Sequence, residues 1–189
     1  LDDAWPAVAC GQYDANTMRS ELFGHVAGAF TGARGARQGL LARADQDTVL
    51  LDEIGDIARD VQRLLIKALE ERRFFPLGAE DSVASDFRLL SATNLGAAEL
   101  EGRLDPDFLD RISMFRLRVP PLREVREDLP WLWEAVFSQA ASRAGVGQRE
   151  AQLGQRHHAR VVAALHRHPL PGNLRDLFRL AYEVLAARA

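Results

Sequence analysis

Asp52 and Glu53 stand side by side at the end of an apolar run, in "TVLLDEIGD" (48–56). The C-terminal end of a buried strand is a rigid, partly dry platform at the edge where α/β proteins bind ligands. One carboxylate there can hold Mg²⁺ through its water shell, because a hard cation takes oxygen ligands. The next can orient or deprotonate a water for attack on phosphorus. Asp52 suits the first role and Glu53 the second; two solvated acids capping a strand would look the same. A second apolar run, "RLLSATN" (88–94), ends in Thr93 and Asn94. Such a pair can hydrogen-bond a phosphate or the attacking water, and Asn equally suits a strand-ending turn. Arg111 closes "GRLDPDFLDR" (102–111). On an exposed helix end it can reach across a subunit boundary to phosphoryl charge, or pair locally with Asp107 or Asp110. In "LPGNLRDL" (170–177) Asn173 can cap a helix whose first turn holds Arg175. The helix dipole favours acids there, so a cation points to a nearby anion or to a pair with Asp176 or Glu183.

The stretch "GHVAGAFTGARGARQG" (24–39) is glycine-rich in the manner of phosphate loops. No G-x-x-x-x-G-K-[ST] occurs anywhere in the 189 residues, and Lys67, the sole lysine, falls in a helical pattern without glycines. The stretch also follows a helix pattern instead of opening one after a strand. Its glycines fit a mobile, exposed turn with Phe30 and Thr31 at the tip.

These residues need elements to hold them. Apolar runs over 5–10, 48–51 and 87–92 read as strands, and the alternation of "MFRLRV" (114–119) predicts another. Helical spacing covers 16–23 and 60–72, and 78–85 reads as a polar loop. Strands separated by helices predict an α/β fold with a parallel sheet covered by helices on both faces. After Pro120-Pro121 only helical patterns remain, over 127–143, 157–167 and 173–188, with a loop over 145–154. The expected division is an α/β core, residues 1–122, and a small all-α subdomain, residues 123–189. Trp131 and Trp133 are expected to pack the second against the first. His157, His158, His166 and His168 lack a convincing metal spacing and read as polar helix residues.

Composition narrows the classes. The chain is 47% hydrophobic and 27% charged, as a globular domain is, and its net charge of −3 excludes an overall electrostatic grip on nucleic acid. Cys10, the single cysteine, excludes an internal disulfide and reads as a small core residue in a reducing, cytoplasmic setting. No apolar run is long enough for a membrane span, and the first residues carry no signal-peptide pattern. The chain opens on Leu1, as a piece cut from something larger would.

Taken in order, the motifs resemble one family closely. Gly28-Ala29-Phe30-Thr31-Gly32-Ala33 matches the GAFTGA signature of bacterial enhancer-binding proteins, the AAA+ activators of sigma-54 RNA polymerase. "SELFGH" (20–25) precedes it, and "LLDEIGD", "ATN", "PPLRE" and "PGNLRDL" follow in the family's order. "ALEERRFFPLG" and "VASDFRLLSAT" look most similar to regulators of the RNA 3′-terminal phosphate cyclase operon.

The resemblance implies an AAA+ three-layer parallel sheet with a C-terminal helical lid, here without its first strand and helix. It implies ATP and Mg²⁺ as cofactors and a ring, a hexamer in the family, that hydrolyses ATP between subunits and activates sigma-54-dependent transcription. Asp52 and Glu53 resemble the Walker B pair, Asp52 on the metal side. Thr93 and Asn94 resemble sensor I, Arg111 the second of two arginine fingers, and Arg175 sensor II. Gly28, Ala29, Phe30, Thr31, Gly32 and Ala33 resemble the loop that touches sigma-54, and 78–85 falls where a second loop moves with it. Promoter-upstream DNA would be bound by a domain outside this chain.

The departures are specific. Ala9 stands where the family has an Asn that restrains the catalytic Glu, Asp105 replaces the first arginine finger, Leu170 replaces a Trp, and Val26 an acid. With Walker A missing as well, the alternative is a catalytically incomplete sigma-54-binding module that does not turn over ATP.

Overall fold

The computed structural model describes residues 5–146 and 155–187. The chain divides between Arg116 and Leu117 into two compact units. The first runs β1 (Ala7–Ala9), α1 (Ala15–Phe23), β2 (Gly24–His25), β3 (Arg37–Gln38), α2 (Leu40–Arg43), β4 (Thr48–Asp52), α3 (Arg59–Glu71), β5 (Arg73–Phe74), β6 (Val83–Ala84), β7 (Arg88–Ser91), α4 (Ala97–Arg103) and α5 (Pro106–Ile112). The second holds α6 (Leu129–Arg143), α7 (Gln155–Leu165) and α8 (Leu174–Ala186).

The main sheet of the first unit is parallel, in the order β1-β4-β7. β4 is the central strand because its apolar run can be buried without a solvent face. Val49 and Leu51 are wholly buried, with Val8 beside Leu51. The opposite face carries Ala7, Leu50 and Leu90 in register and is less covered, Leu90 being 43% exposed.

The helices follow from local chemistry. α1 starts at Asp14, whose carboxylate accepts the amides of Asn16 and Thr17 (2.9 and 3.1 Å). It stops at Gly24, where φ is +78° and a Cβ would lie 2.5 Å from the Arg37 carbonyl oxygen. α3 buries Val61, Leu65 and Ala68 on one stripe. Gln62 on that helix is buried and doubly used: it donates to the Ile57 carbonyl (2.9 Å) and accepts from the Asp105 amide (2.7 Å). That second bond fixes the start of α5 against α3.

Two expectations change. The stretch 78–85 is not all loop, since Val83–Ala84 pairs antiparallel with Arg73–Phe74. "MFRLRV" is not a strand: it bends at Met114 and Phe115 and joins no ladder, with Phe115 90% and Leu117 95% exposed. Alternation specifies two faces, but a strand also needs a neighbouring ladder, and none of the described residues pairs with this segment.

The second unit has its own core, built on Leu129, Trp133, Phe137 and Ala140 of α6 and Leu177, Ala181 and Leu185 of α8. Trp133 is fully buried there, its ring 5.4 Å from Phe137. Trp133, expected at the sheet, thus forms part of the helical unit's own core. Trp131 is 56% exposed and donates to Asp128 (3.1 Å). The expected loop over 145–154 lies mostly outside the described residues. Among the described residues no helix is long and apolar enough to cross a membrane.

Candidate functional site

Asp52 is the last residue of β4, and Glu53 turns the chain away in the left-handed region (φ 54°, ψ 45°). A side chain there costs on the order of 1–2 kcal/mol, so the turn is held by its surroundings. The Asp52 carboxylate accepts the Glu53 amide (2.9 Å). Ala92 brackets the pair, donating to the Leu51 carbonyl (2.9 Å) and accepting from Ile54 (3.0 Å). Thr93 and Asn94 follow Ala92 directly, so the ladder sets them at the same strand-end edge as the two acids. The Thr93 hydroxyl accepts the Leu95 amide (3.1 Å), which orders that turn.

Three further residues belong to this edge and were not singled out in the sequence. A Cβ on Gly11 would lie 2.9 Å from Glu53 Oε2 and 3.1 Å from Asp56 Oδ2. The glycine thus leaves room for two carboxylates to converge. Asp56 is paired with Arg103 at the end of α4 (2.5 Å). Only the "D" of "DEIGD" hinted at Asp56; the others are brought in by packing. Beneath them, the buried Cys10 thiol is pushed up to about 12, first by burial and then by Asp52, Asp56 and Glu53. The three nearby carboxylates add to the effect of burial.

Arg111 lies on α5 with Glu70 of α3 as its partner (3.9 Å), in place of Asp107 or Asp110. Asp105, at the position of an expected arginine, caps α5 through the Asp107 amide (3.2 Å), with Pro106 opening the helix. In the helical unit Arg175 is exposed at the second residue of α8. Asp176 is engaged by the Gly172 amide (2.7 Å) and Arg179 (3.4 Å). Asn173 does not cap α8. Its φ of 50° turns its side chain to accept the Leu122 amide (2.9 Å), while Asp176 on the first turn reaches back to the Gly172 amide ahead of the helix.

The glycine-rich stretch is a separate structure. Its base is antiparallel, Gly24 opposite Gln38 and His25 opposite Arg37, and Arg37 is clamped to Glu21 of α1 by two bonds (2.5 and 2.8 Å). Gly28 donates to Ala33 (2.9 Å) and Ala33 to Phe30 (3.0 Å), so Phe30, Thr31 and Gly32 form a tight projecting turn. Gly28 and Gly32 have φ of +81° and +100°, which L side chains rarely adopt. Phe30 is 46% exposed at the tip. The stem is tied to the 78–85 segment: Val26 donates to Leu77 (3.1 Å), Leu77 to Gly24 (2.9 Å), and Gly78 approaches Ala29 and Val26 so closely that a Cβ would lie 3.0 and 3.2 Å away.

The acid edge fits the metal and water side of a nucleotide site: exposed carboxylates on a rigid strand end with space kept open by Gly11. The phosphate side is not supplied by these residues. The glycines at 28 and 32 open onto empty surroundings, and Lys67 is on α3 beside Glu71 (3.8 Å).

The family model described as "Sigma-54 interaction domain" matches residues 2–118. The chain is 43% identical over 162 residues to the DNA-binding transcriptional regulator NtrC of Escherichia coli (strain K12), covering 85% of this chain and 33% of that protein. It is 40% identical over 172 residues to the regulatory protein LuxO of Vibrio cholerae, covering 90% and 31%. It is 42% identical over 128 residues to the transcriptional regulatory protein RtcR of Escherichia coli, covering 67% and 24%. This chain therefore spans about a third or less of these relatives.

The crystal structure of NtrX from Brucella abortus in complex with ADP superposes with a TM-score of 0.80 at 28% identity, over 97% of this chain and 39% of that one. Hsp104, at 19% identity and a TM-score of 0.72 over 94% of this chain and 34% of that one, shares the fold alone. With an AAA+ α/β sheet, a GAFTGA turn and this match across most of its first unit, the chain belongs to the sigma-54 interaction domain family of enhancer-binding transcriptional activators.

Proposed function

We propose that the protein carrying this chain activates sigma-54-dependent transcription by driving the Gly28–Ala33 turn against sigma-54 RNA polymerase, with ATP hydrolysis between subunits of a ring as the energy source. The carrying observation is the projecting turn itself. Phe30 and Thr31 are presented on a braced stem, which a partner can push against, and the stem is bonded at Leu77 to the second loop. NtrX has been crystallised with ADP and with ATP, which supports a nucleotide as the ligand of the protein carrying this chain.

When bound, ATP with Mg²⁺ supplies the phosphoanhydride whose cleavage releases free energy. The chain's own residues then have distinct tasks. Asp52 holds the metal's water shell, and Glu53 accepts the proton of the attacking water. Thr93 and Asn94 sense the phosphate from the neighbouring strand end. Arg111, once released from Glu70, reaches the next subunit, and Arg175 contacts phosphate from the lid. The ring is a hexamer, and promoter-upstream DNA is held by another domain of the protein.

A second reading, a sigma-54-binding module without turnover, is favoured by one feature. Asp105 is committed to capping α5 at the position of an arginine finger.

Two variants of the intact protein test these readings. Thr31→Ala should abolish activation while ATP turnover persists; loss of turnover instead would remove the contact-turn assignment. Glu53→Gln should keep nucleotide binding and stop turnover. Wild-type protein that binds sigma-54 without any turnover would establish the binding module.

A further inference from the structure

His25 is the meeting point of three structures in the first unit. Its backbone lies between two neighbours, paired with Arg37 on one side and bridged to Leu77 on the other. Its ring nitrogen Nδ1 is 2.8 Å from the hydroxyl of Ser20, a buried residue in the last turns of α1. Its ring also meets Phe30 edge to face, with centroids 5.0 Å apart and planes at 66°. Phe30 is otherwise half exposed on a turn whose Gly28 and Gly32 have open space where a side chain would stand, so His25 is the aromatic partner that holds its ring.

We propose that His25 is a positioning residue for the partner-contacting tip: clamped by Ser20, its ring pre-orders Phe30 in the orientation that sigma-54 meets. The proposal rests on the reading of the Gly28–Ala33 turn as the contact. The physical gain is entropic. A side chain already ordered before docking does not lose that freedom on binding, which is worth roughly three- to tenfold in affinity for one such residue. Ser20 enters because an unclamped imidazole can rotate away from Phe30. The arrangement also makes the orientation of the tip depend on α1, through Ser20, as well as on the stem.

The test uses the intact protein with 4-fluorophenylalanine incorporated at position 30, read by fluorine NMR, and binding to purified sigma-54. In the wild type the resonance should be displaced from its position in a short peptide of the turn. His25→Ala should return it to the peptide position and weaken sigma-54 binding roughly three- to tenfold. Ser20→Ala should shift both in the same direction by less, and His25→Phe, which keeps a ring, should restore most of the displacement. If His25→Ala unfolds the protein, the Ser20→Ala and His25→Phe pair still decides the matter. A resonance unmoved by His25→Ala or Ser20→Ala overturns the proposal. So does a resonance that moves while affinity stays constant and Thr31→Ala still abolishes binding. Binding that survives Thr31→Ala and His25→Ala alike removes the contact reading itself, while the resonance still reports whether His25 holds Phe30.

Discussion

Cys10 is a buried thiol near Asp52, Glu53 and Asp56, and its value is raised first by burial and then by those carboxylates. The folded state favours the neutral thiol, so its contribution to stability is fully present below the ordinary value of 9.0 and declines as pH rises from there towards about 12. Iodoacetamide at pH 8 should therefore label native protein far more slowly than urea-unfolded protein, as followed by mass spectrometry. Equal rates would mean that the thiol is not buried in the folded protein. The strand-end position of Asp52 and Glu53 was legible because an apolar β-branched run followed by acids is a local pattern. Gly11 and Arg103 were not, because their roles come from positions 42 and 47 residues away in the chain, at Glu53 and Asp56.

At the scale of elements, α1 carries the first test. The Asp14 carboxylate is held below its ordinary range, first by the Thr17 hydroxyl (2.6 Å) and then by the Thr17 amide. A depressed value contributes stability above the unfolded value of 3.8, and that contribution is lost as pH falls through the folded value. Asp14→Ala should lower the denaturation midpoint at pH 7, with the gap to wild type narrowing below pH 4. A gap of constant size at all pH values would exclude the charged cap.

Asn173 makes a different prediction. It bonds the Leu122 amide rather than its own helix, so Asn173→Ala strands a half-buried donor and should cost about 1–3 kcal/mol in urea unfolding. The motif "PGNLRDL" shows a turn before a helix, yet the distant donor at Leu122 that draws the Asn173 side chain away is a tertiary fact. Pattern alone therefore named the wrong cap. "MFRLRV" failed for a related reason: period-two alternation describes a strand's faces and says nothing about who pairs with it.

At the scale of the whole molecule, each unit has its own apolar core, one around β4 and α3 and one around α6 and α8. Trp133, fully buried in the second, reports that unit's packing by fluorescence. Leu177→Ala removes a wholly buried side chain from the same core and should cost about 2–5 kcal/mol, seen as an earlier Trp133 transition in urea. An unchanged transition would place Leu177 outside the packing around Trp133.

By itself the amino-acid sequence determined the α/β class, the strand-end acids, the Thr-Asn turn, the helical second part and the projecting GAFTGA turn. Each is written in residues adjacent in the chain or spaced at a helix or strand period. Tertiary structure decided the rest. It brought Gly11, Arg103 and Asp56 to the acid edge, turned Asn173 to Leu122, set Trp133 inside the helical core, left 114–119 unpaired, and joined Ser20, His25 and Phe30. Those outcomes depend on which distant group meets a donor, a ring or a gap first. Side-chain packing and hydrogen-bond competition settle that question only when the whole chain is folded.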